Sequence, residues 1–426
     1  MTAARHTETV VVGGGQAGLA LSRHLRSRGR PHVVLERGRI GERWHSERWD
    51  SLTLLSPAWA NVLPGQGAGH EPDAFTGRRA FVEGLDEYAR SFRAPVVEGA
   101  TVLAVEPHAD GYEVRSDRGT WRSANVVLAT GDSDVPLVPA TAASVPAGVS
   151  SLHASRYRRP GGLSPGGVLV VGAGPTGQQL ALELVRSGRS VTIAVGRHAR
   201  LPRRYRGRDV WEWLEVLGDL DVTIDEVADP ERARRTPSVA LAGSQGGEDL
   251  DLGVLHRAGV DVRGRLTGFA GRHALFGTGL AHDVAEADGR MRRILSRIDE
   301  RIEQDRLPFP TDDVSAVRLP VREPVLDLED AGIGTVLWAT GYRRSYPWLH
   351  VPALDPEGEV VQRHGVTAFP GLYTLGLRFQ RLRRSHMIGG VGADAALVAR
   401  CIAGGASVAR RLAAGLLPPV GYPVRA

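Results

Sequence analysis

The chain repeats one pattern of apolar and polar positions. Each copy begins with a short run rich in β-branched residues, at 9–13 and at 168–172, which is typical of a strand buried in a parallel sheet. Apolar residues at helical spacing follow each run, and Gly29 or Gly188 then precedes a second apolar run. This order predicts a strand–helix–strand unit in each copy.

The two copies also end alike. Each closes with an apolar run that leads into the triplet Ala-Thr-Gly, at 125–132 in the first copy and at 335–342 in the second. From the first turn glycine to the glycine of the triplet, the first copy spans 118 positions and the second 169, so the second holds about fifty more residues. We assign this surplus to an insertion at about 197–279, whose sequence indicates a loop and an amphipathic helix.

These repeats predict an α/β fold with two Rossmann-like dinucleotide-binding domains. The first domain takes residues 1–160. It also takes residues 342–426, because this tail holds a further strand and helix but no third domain of its own. The second domain takes residues 161–341, is inserted into the first, and carries the helical insertion.

Both strand-to-helix turns have the spacing G-x-G-x-x-G. In such turns the first glycine permits the tight bend, the second lets the backbone approach a pyrophosphate, and the third lets helix and strand pack closely. The helix N-terminus adds free N–H groups and a partial positive charge. A glycine turn that binds nothing is the alternative, but repetition between a strand and a helix favours two nucleotide sites. The glycines are Gly13, Gly15 and Gly18 in the first turn and Gly172, Gly174 and Gly177 in the second.

The ends of the second strands distinguish the two ligands. The first ends in Glu36, where a carboxylate accepts hydrogen bonds from ribose hydroxyls. The second has Val195 at the aligned place, followed by Arg197 and His198, so a cation replaces the carboxylate. This exchange is typical of a site for a 2′-phosphate and predicts NADPH. The next arginines either extend this clamp or form a solvated basic loop: Arg200, Arg203 and Arg204.

Composition excludes several classes of function. The 426 residues are 42% hydrophobic and 24% charged, as in ordinary globular proteins, and the net charge of +5 gives no reason to expect nucleic acid. The start has no signal-peptide pattern and no apolar run is long enough to span a membrane, so we expect a cytoplasmic protein without membrane association. One cysteine, Cys401, excludes an internal disulfide and a redox dithiol, and the scattered histidines predict no metal site.

The order of motifs resembles that of the class B flavin-dependent monooxygenases. The likeness covers nearly the whole chain: G-x-G-x-x-G, Ala-Thr-Gly, then both again, with an acid after the first turn and arginine after the second. The stretch 41–57 is similar to a family segment that contains R-W-D-S-L-x-L and runs beside the flavin. The stretch 152–160 is similar to the end of the monooxygenase fingerprint, with His153 and Tyr157 in place.

The resemblance implies a glutathione-reductase-like architecture with FAD in the first domain and NADP in the second. The front of the fingerprint departs, since Ala147 and Val149 replace its phenylalanine and glycine. Tyr157 stands where Baeyer–Villiger enzymes carry tryptophan, which disfavours that subclass. We expect His153 to fix the domain junction through hydrogen bonds rather than to transfer protons.

Residue by residue, the resemblance places a flavin-side wall in the first domain, made of Trp44, Arg48, Trp49 and Asp50. The further predicted FAD contacts are Gln16, Ala17, Arg37, Val102, Thr130, Gly131 and Gly392. The further predicted NADP contacts are Pro175, Thr176, Gln178, Arg204, Thr340 and Gly341.

Two residues are candidates for the chemistry. Asn61 resembles an asparagine that precedes Leu-Pro in related monooxygenases and that offers its amide to the peroxide; a plain turn asparagine is the alternative. Gln380 is a candidate for contact with the flavin ring or the substrate. Nearby arginines form either a solvated face or a site for an anionic substrate such as a carboxylate: Arg378, Arg381, Arg383 and Arg384.

Together these features predict a monooxygenase that uses FAD, NADPH and dioxygen, forms a flavin C4a-hydroperoxide, and oxygenates a small molecule at N, S or C. Two alternatives stay open: an FAD-dependent oxidoreductase without oxygen insertion, and a non-enzymatic flavoprotein redox sensor. Two other classes of flavoprotein are disfavoured. A disulfide reductase needs a redox dithiol, which a single cysteine cannot form, and the segment 211–216 has only part of a halogenase signature. The substrate is not readable, and a homodimer is left open.

Overall fold

The structure is a computed structural model that describes residues 3–413, apart from 68, 70, 244 and 245. The predicted range 342–426 therefore ends outside the described residues. The helices are α1 (Gln16–Ser27), α2 (Glu42–Ser46), α3 (Arg78–Ser91), α4 (Pro175–Arg186), α5 (Val210–Val216), α6 (Pro230–Arg234), α7 (Leu252–Arg257), α8 (Leu280–Gln304) and α9 (Val391–Ala413). The strands are β1 (Arg5–Val12), β2 (His32–Leu35), β3 (Val96–Val97), β4 (Val102–His108), β5 (Gly111–Ser116), β6 (Gly119–Leu128), β7 (Val135–Pro136), β8 (Ser150–His153), β9 (Gly167–Val171), β10 (Val191–Ala194), β11 (Ala199–Arg200), β12 (Arg204–Tyr205), β13 (Arg208–Asp209), β14 (Val239–Ala240), β15 (Asp261–Arg263), β16 (Leu266–Ala270), β17 (His273–Phe276), β18 (Val325–Asp327), β19 (Ile333–Trp338), β20 (Tyr342–Arg343), β21 (Gln362–Arg363), β22 (Val366–Thr367) and β23 (Leu372–Thr374).

Both ends of the chain build the first sheet. Its order is β21-β22-β23-β6-β1-β2-β3, and β5 joins β4 to β6. The strands β2, β1, β6 and β23 run parallel, which is the core of a Rossmann-like fold. Because β23 comes from the tail and pairs with β6, the prediction that the tail packs on the first copy is confirmed.

The second sheet is parallel throughout and has the order β15-β10-β9-β19-β8. The strands β9 and β10 are buried along their whole length, as their unbroken apolar sequences predict. The two sheets confirm the predicted α/β fold with two Rossmann-like units. The strand β8 lies before residue 160 yet belongs to the second sheet, and the three domain ranges stay a prediction.

Apolar side chains hold the helices against these sheets. The helices α1 and α9 share one core on the first sheet, where Leu19, Leu25 and Leu397 are completely buried. The helix α4 covers the second sheet through Leu180 and Leu184, also completely buried. Burying one such leucine contributes roughly 1.5–3 kcal/mol.

The predicted insertion is only partly an insertion. The strand β15 lies inside the range 197–279 but completes the edge of the second sheet beside β10. The predicted amphipathic helix is short, because α5 has 7 residues and follows the hairpin β12–β13. The elements that the second copy has in addition to the first therefore run from β11 to α7. The strand β15 of the second sheet comes next, and the long helix α8 follows later in the chain.

Candidate functional site

The first glycine turn joins β1 to α1 and excludes larger residues at two positions. Gly13 has a φ of +111°, and a Cβ there would lie 2.5 Å from the carbonyl oxygen of Ala129. A Cβ on Gly18 would lie 1.9 Å from the carbonyl oxygen of Gly13. Gly15 differs, because a Cβ there would enter open space at the start of the helix. The turn thus leaves open space in front of the N–H groups of α1.

The second turn joins β9 to α4 and repeats this geometry closely. Gly172 has a φ of +110°, and a Cβ there would lie 2.6 Å from the carbonyl oxygen of Ala339. A Cβ on Gly177 would lie 1.8 Å from the carbonyl oxygen of Gly172, whereas Gly174 again faces open space. The residues therefore fit two pyrophosphates, one at each helix N-terminus.

A cavity of about 560 Å³ opens in front of the first turn. It runs from the end of β2 to the C-terminal segment that begins at Gly376, and it is long enough to adjoin both the Ala-Thr-Gly triplet and α2. The predicted FAD residues that line it are Gly13, Gly15, Gln16, Ala17, Glu36, Arg37, Trp44, Arg48, Val102, Thr130 and Gly131.

Glu36 is held in place at one end of this cavity. Its Oε2 accepts a hydrogen bond from the Gly14 N–H at 2.7 Å, and its Oε1 accepts one from the Gly38 N–H at 3.0 Å. The carboxylate is nearly buried, yet it lines the cavity. Its remaining lone pairs can accept from the two hydroxyls of a ribose.

A second cavity of about 340 Å³ opens in front of the second turn. It shares three wall residues with the first cavity, namely Trp44, Arg48 and Ser133. The two cavities therefore adjoin, and groups bound in them would approach each other across this wall. The predicted residues that line the second cavity are Trp44, Arg48, Trp49, Gly174, Pro175, Thr176 and Gly341.

Arg48 stands where the two cavities adjoin. Its Nη1 donates to the hydroxyl oxygen of Tyr342 at 3.1 Å. Its guanidinium carbon lies 5.6 Å from the ring centroids of both Trp44 and Tyr342, within the range of a cation–π contact. No ion pair holds Arg48 within the described chain, so its charge is available to a ligand in either cavity.

His153 fastens the second sheet to the second Ala-Thr-Gly triplet. Its Nε2 lies 3.0 Å from the carbonyl oxygen of Gly341, and its Nδ1 accepts from the Ser155 N–H at 3.1 Å. Because a carbonyl only accepts, the neutral ring carries its proton on Nε2. Burial lowers the pKa of His153, which favours this neutral form. Because β8 and β19 belong to the same sheet, these contacts lie within the second unit, and the junction role of His153 stays a prediction.

Two predicted flavin-wall residues lie outside the first cavity. Trp49 packs in the core of the second sheet and reaches only the second cavity. Asp50 lines neither cavity, because its Oδ1 pairs with Arg78 at 3.1 Å and its N–H donates to the carbonyl oxygen of Arg158. Of the two charged residues in the R-W-D stretch, only Arg48 lines the cavities, and Asp50 points elsewhere.

Further predicted contacts also stand back from the two cavities. Gln178 is completely buried and donates to the carbonyl oxygen of Ala173 at 2.8 Å. The Thr340 hydroxyl donates to the carbonyl oxygen of Leu137, and Gly392 packs against Pro64. Like the third turn glycines, these residues shape the site without lining it.

Neither catalytic candidate reaches the cavities. Asn61 donates through Nδ2 to the carbonyl oxygens of Ser56 at 2.9 Å and Pro57 at 3.0 Å, so its amide stabilises a turn. Gln380 is completely buried, and its Oε1 accepts from the Leu377 N–H at 3.4 Å. Contrary to the expectation, neither side-chain amide therefore lies beside the first cavity. Asn61 stabilises a turn, and Gln380 is buried in the core.

The predicted 2′-phosphate clamp is narrower than the sequence indicates. Arg197 is exposed at the end of β10, whereas His198 is buried with its Nδ1 3.1 Å from the carbonyl oxygen of Gly196. Arg204 is exposed on β12 and donates to the carbonyl oxygen of Gly207. Only Arg197 of these three presents an unpaired cation at the strand end.

Two further arginines of the predicted clamp are consumed in buried ion pairs. Arg200 pairs with Asp251 and with Asp288, the latter at 2.7 Å. Arg203 is 1% exposed and pairs with Asp209. Because each charge is already neutralised, neither arginine can take a phosphate.

A cation that the sequence did not reveal lies beside the strand end. The side chain of Arg265 is 3.9 Å from the position a Cβ on Gly196 would take. Arg265 is exposed, and its side chain makes no hydrogen bond or ion pair with the residues that the structure describes. It follows β15, so only recognition of β15 as the neighbour of β10 would have placed it near Arg197.

The insertion contacts two residues that line the second cavity, Leu55 and Gln179. Arg203 Nη1 and Trp211 Nε1 both donate to the carbonyl oxygen of Leu55, at 2.6 Å and 3.1 Å. From the other side, Gln179 on α4 donates to the carbonyl oxygen of Leu241 at 2.9 Å. These contacts join the insertion to both halves beside the second cavity.

Two of the four C-terminal arginines are paired with carboxylates, and Arg378 donates to the carbonyl oxygen of Thr236. Arg381 is buried with Asp394, its Nε 2.7 Å from the carboxylate. Arg384 binds the carboxylate of Glu215 on α5 at 2.6 Å. Arg383 is exposed and stacks over an aromatic ring of its own segment. The segment therefore docks on the insertion.

No group of three or more histidine, cysteine, aspartate or glutamate side chains among the described residues is arranged to hold a metal ion. None of the helices assigned within those residues combines the length and the apolar character needed to cross a bilayer.

Comparison with known proteins places the chain among flavoprotein oxidoreductases. Residues 10–215 match the sequence profile of the pyridine nucleotide-disulphide oxidoreductase family. An uncharacterised CzcO-like oxidoreductase of Geobacillus kaustophilus is 30% identical over 391 residues, which are 91% of this chain and 96% of that protein.

Two further likenesses involve monooxygenases. The indole-3-pyruvate monooxygenase YUCCA1 of Oryza sativa subsp. japonica is 27% identical over 385 residues, or 86% of each chain. The structure of a flavin-containing monooxygenase from Stenotrophomonas maltophilia superposes with a TM-score of 0.64 at 20% identity, and the match covers 94% of this chain and 99% of that one. At that identity the second likeness concerns the fold.

Proposed function

Because the chain belongs to the CzcO-like oxidoreductases, two-domain flavoproteins related to the flavin-dependent monooxygenases, we propose that it is an FAD- and NADPH-dependent monooxygenase of a small molecule. One observation carries this proposal: two glycine cradles open into two cavities that share the wall of Trp44, Arg48 and Ser133. Such a wall suits the passage of a hydride from one nucleotide to the other, which needs reacting atoms about 3–3.5 Å apart.

FAD is assigned to the first cavity. Glu36 binds the ribose hydroxyls, and the N–H groups behind Gly15 bind the pyrophosphate. When bound, FAD supplies the redox chemistry, including the C4a-hydroperoxide expected from the sequence. Trp44 and Arg48 place a ring and a positive charge beside the end that adjoins the second cavity.

NADPH is assigned to the second cavity and to the strand end beside it. The N–H groups behind Gly174 bind its pyrophosphate. Arg197 and Arg265 are the two exposed cations near Gly196, and we assign the 2′-phosphate to them. Two guanidinium groups without carboxylate partners suit a dianionic phosphate.

The insertion supports one wall of the second cavity. Arg203 and Trp211 fix the backbone at Leu55, and Leu241 of the insertion accepts a hydrogen bond from Gln179. A fixed wall helps to hold a bound nucleotide in the orientation that hydride transfer needs.

A second candidate function is an FAD-dependent NADPH oxidoreductase without oxygen insertion. The observation in its favour is that Asn61 and Gln380, the two candidate amides, are engaged elsewhere. Both functions share the cofactors and differ only in the fate of dioxygen.

Labelled dioxygen separates the two functions. The purified holoenzyme is supplied with NADPH, ¹⁸O₂ and a panel of amines, sulfides and indoles, and products are analysed by mass spectrometry. A monooxygenase gives one labelled oxygen atom per NADPH consumed in a coupled turnover. Unlabelled oxidised products, with all consumed dioxygen recovered as peroxide, would assign the protein to the second function. A colourless protein that takes up no added FAD would exclude both.

A further inference from the structure

A histidine without protein partners borders the first cavity. His386 lies on the C-terminal segment and lines this cavity. Its Nδ1 is buried and has no hydrogen-bond partner among the residues that the structure describes. Its Nε2 has no partner among them either, but this atom is not buried. The ring therefore presents Nε2, rather than Nδ1, to a ligand in the cavity.

The buried nitrogen of His386 determines which form of the ring is stable. A proton on Nδ1 would place an N–H donor in the interior with no group to accept from it, which costs more than an unpaired acceptor there. The neutral ring therefore carries its proton on Nε2. The charged ring needs a proton on both nitrogens, and burial accordingly lowers the pKa of His386 to about 4. At neutral pH the cavity is thus lined by an uncharged hydrogen-bond donor.

A short turn holds the backbone just before His386. Ser385 is completely buried, and its hydroxyl oxygen accepts from the N–H groups of Arg381 at 3.1 Å and Leu382 at 2.8 Å. The Ser385 N–H donates to the carbonyl oxygen of Leu382 at 3.0 Å. These contacts fix the direction in which the next side chain leaves the backbone, so the donor is held in place before any ligand binds.

The carboxylate nearest in effect to His386 indicates the part of the cavity where the ring lies. Glu36 marks the end that takes the ribose of the adenosine. Asp132 directly precedes Ser133, which belongs to the wall shared with the second cavity. Asp132 lines the first cavity together with His386, and its charge acts on the histidine ring. The ring therefore lies at the flavin end of the cavity.

We propose that the Nε2–H of His386 donates a hydrogen bond to the flavin half of bound FAD. The inference rests on the proposed function only in that FAD occupies the first cavity. The isoalloxazine and the ribityl chain both carry oxygen atoms that accept hydrogen bonds. The nearby carboxylate of Asp132 is already paired with Arg344. Bound flavin thus supplies the acceptor that the described protein groups do not provide.

A cofactor contact and a structural histidine respond differently to substitution by leucine. His386→Leu removes two nitrogens that have no protein partner, so it should not destabilise the protein without FAD. The same change removes the donor, so it should weaken the binding of FAD. A histidine that only supports the fold would instead lower the stability of the protein with and without FAD.

The experiment compares FAD with ADP, which has the adenosine and the phosphates of FAD but no flavin. Apoprotein is prepared from the purified holoenzyme, FAD binding is followed by flavin fluorescence, and ADP is measured by its competition with FAD. We expect His386→Leu to weaken FAD binding about tenfold and to leave the affinity for ADP within about twofold. The Tm without FAD should stay the same or rise.

Two further histidine variants and one carboxylate variant serve as controls. His386→Gln keeps an N–H at a similar reach to Nε2 and should restore most of the affinity for FAD. His282→Leu, at an exposed position on α8, should change neither affinity. Glu36→Gln should weaken FAD and ADP alike, because both carry the ribose that this carboxylate contacts.

Several results would overturn the proposal. An unchanged affinity for FAD in His386→Leu would mean that the donor contacts no part of the cofactor. Equal losses for FAD and ADP, or a lower Tm without FAD, would assign His386 to the fold. A loss in His386→Gln as large as in His386→Leu would show that the N–H group is not what FAD contacts. Because no turnover is needed, a chain that fails the labelled-oxygen experiment can still pass this one, and the reverse also holds.

Discussion

Substitution of Gly174 by alanine separates binding from folding at the second turn. Gly174 has a φ of −71° and a ψ of 178°, which alanine adopts without strain, and its Cβ would meet no atom within 4 Å. A Gly→Ala change at such a position stabilises a protein by about 0.4–1 kcal/mol through the unfolded chain. The added methyl group, however, would occupy the cradle assigned to the NADPH pyrophosphate.

The size of the binding effect follows from the contact that is lost. A hydrogen bond to a charged group contributes about 1.5–3 kcal/mol. Since about 1.4 kcal/mol corresponds to a factor of ten, Gly174→Ala should raise the KM for NADPH by about 10- to 150-fold. Gly172→Ala is the matched contrast, because a φ of +110° and a 2.6 Å approach to Ala339 should cost at least about 1–3 kcal/mol of folding stability.

The assay combines steady-state NADPH oxidation with urea unfolding of the holoenzyme. Gly15→Ala provides the reciprocal control, because the same open geometry in the first turn should weaken FAD retention and leave the KM for NADPH unchanged. If Gly174→Ala keeps the KM for NADPH within twofold while Gly15→Ala raises it, the assignment of the cofactors to the two turns is reversed. If neither variant changes any binding constant, the cradles bind no phosphate.

Three further predictions follow from the charged residues. Arg197→Ala and Arg265→Ala should each raise the KM for NADPH about tenfold, or about 1.4 kcal/mol, and leave that for NADH within twofold; equal rises for both would show that no 2′-phosphate lies there. Arg203→Met removes the ion-pair partner of the half-buried Asp209 carboxylate, which keeps its hydrogen bond from the Trp211 N–H, and should cost about 1.5–3 kcal/mol in urea unfolding, whereas a loss below 1 kcal/mol would mark the pair as solvated. Burial lowers the pKa of His386 from 6.5 to about 4, so the unfolded chain binds the proton first and stability should fall as the pH drops from about 6.5 towards 4. His386→Gln should make this fall shallower in urea titrations at a series of pH values, and an unchanged slope would contradict the burial of the ring.

The parts of the site that the sequence predicts well are fixed by short-range geometry. Gly18 and Gly177 are required because a Cβ there would meet the carbonyl oxygen of Gly13 or Gly172 within the same strand–turn–helix unit, so the spacing alone indicates them. Glu36 is similar, because the end of β2 necessarily faces the turn beside it. Repetition of the unit then gives the second sheet and the α/β class.

The parts that it misses depend on distant partners. Arg200 and Arg203 look like phosphate ligands in a basic loop, but Asp251, Asp288 and Asp209 neutralise them across the fold. Asn61 looks like a catalytic amide, yet the carbonyl oxygens of the preceding turn bind it. In each case the partner is a polar group that the fold brings close from elsewhere in the chain. Spacing along the sequence does not indicate which group that is.

Arg265 is a residue of the site that the sequence analysis did not identify. It has no motif around it and stands about seventy positions from Arg197. Only the parallel pairing of β15 with β10 brings it to Gly196. A sequence that hides an edge strand therefore also hides the side chains that follow it.

The pairing of β23 with β6 has a consequence for biosynthesis. Leu372 pairs with Val126, nearly 250 residues earlier, and Gly376 then closes the flavin end of the first cavity. The second sheet draws all its strands from residues 150–338, so it can form on the ribosome while the first sheet still waits for its last strand. Flavin capture is then expected only once the segment up to Gly376 is available, and a nascent chain arrested before residue 372 should expose the edge of β6 to chaperones.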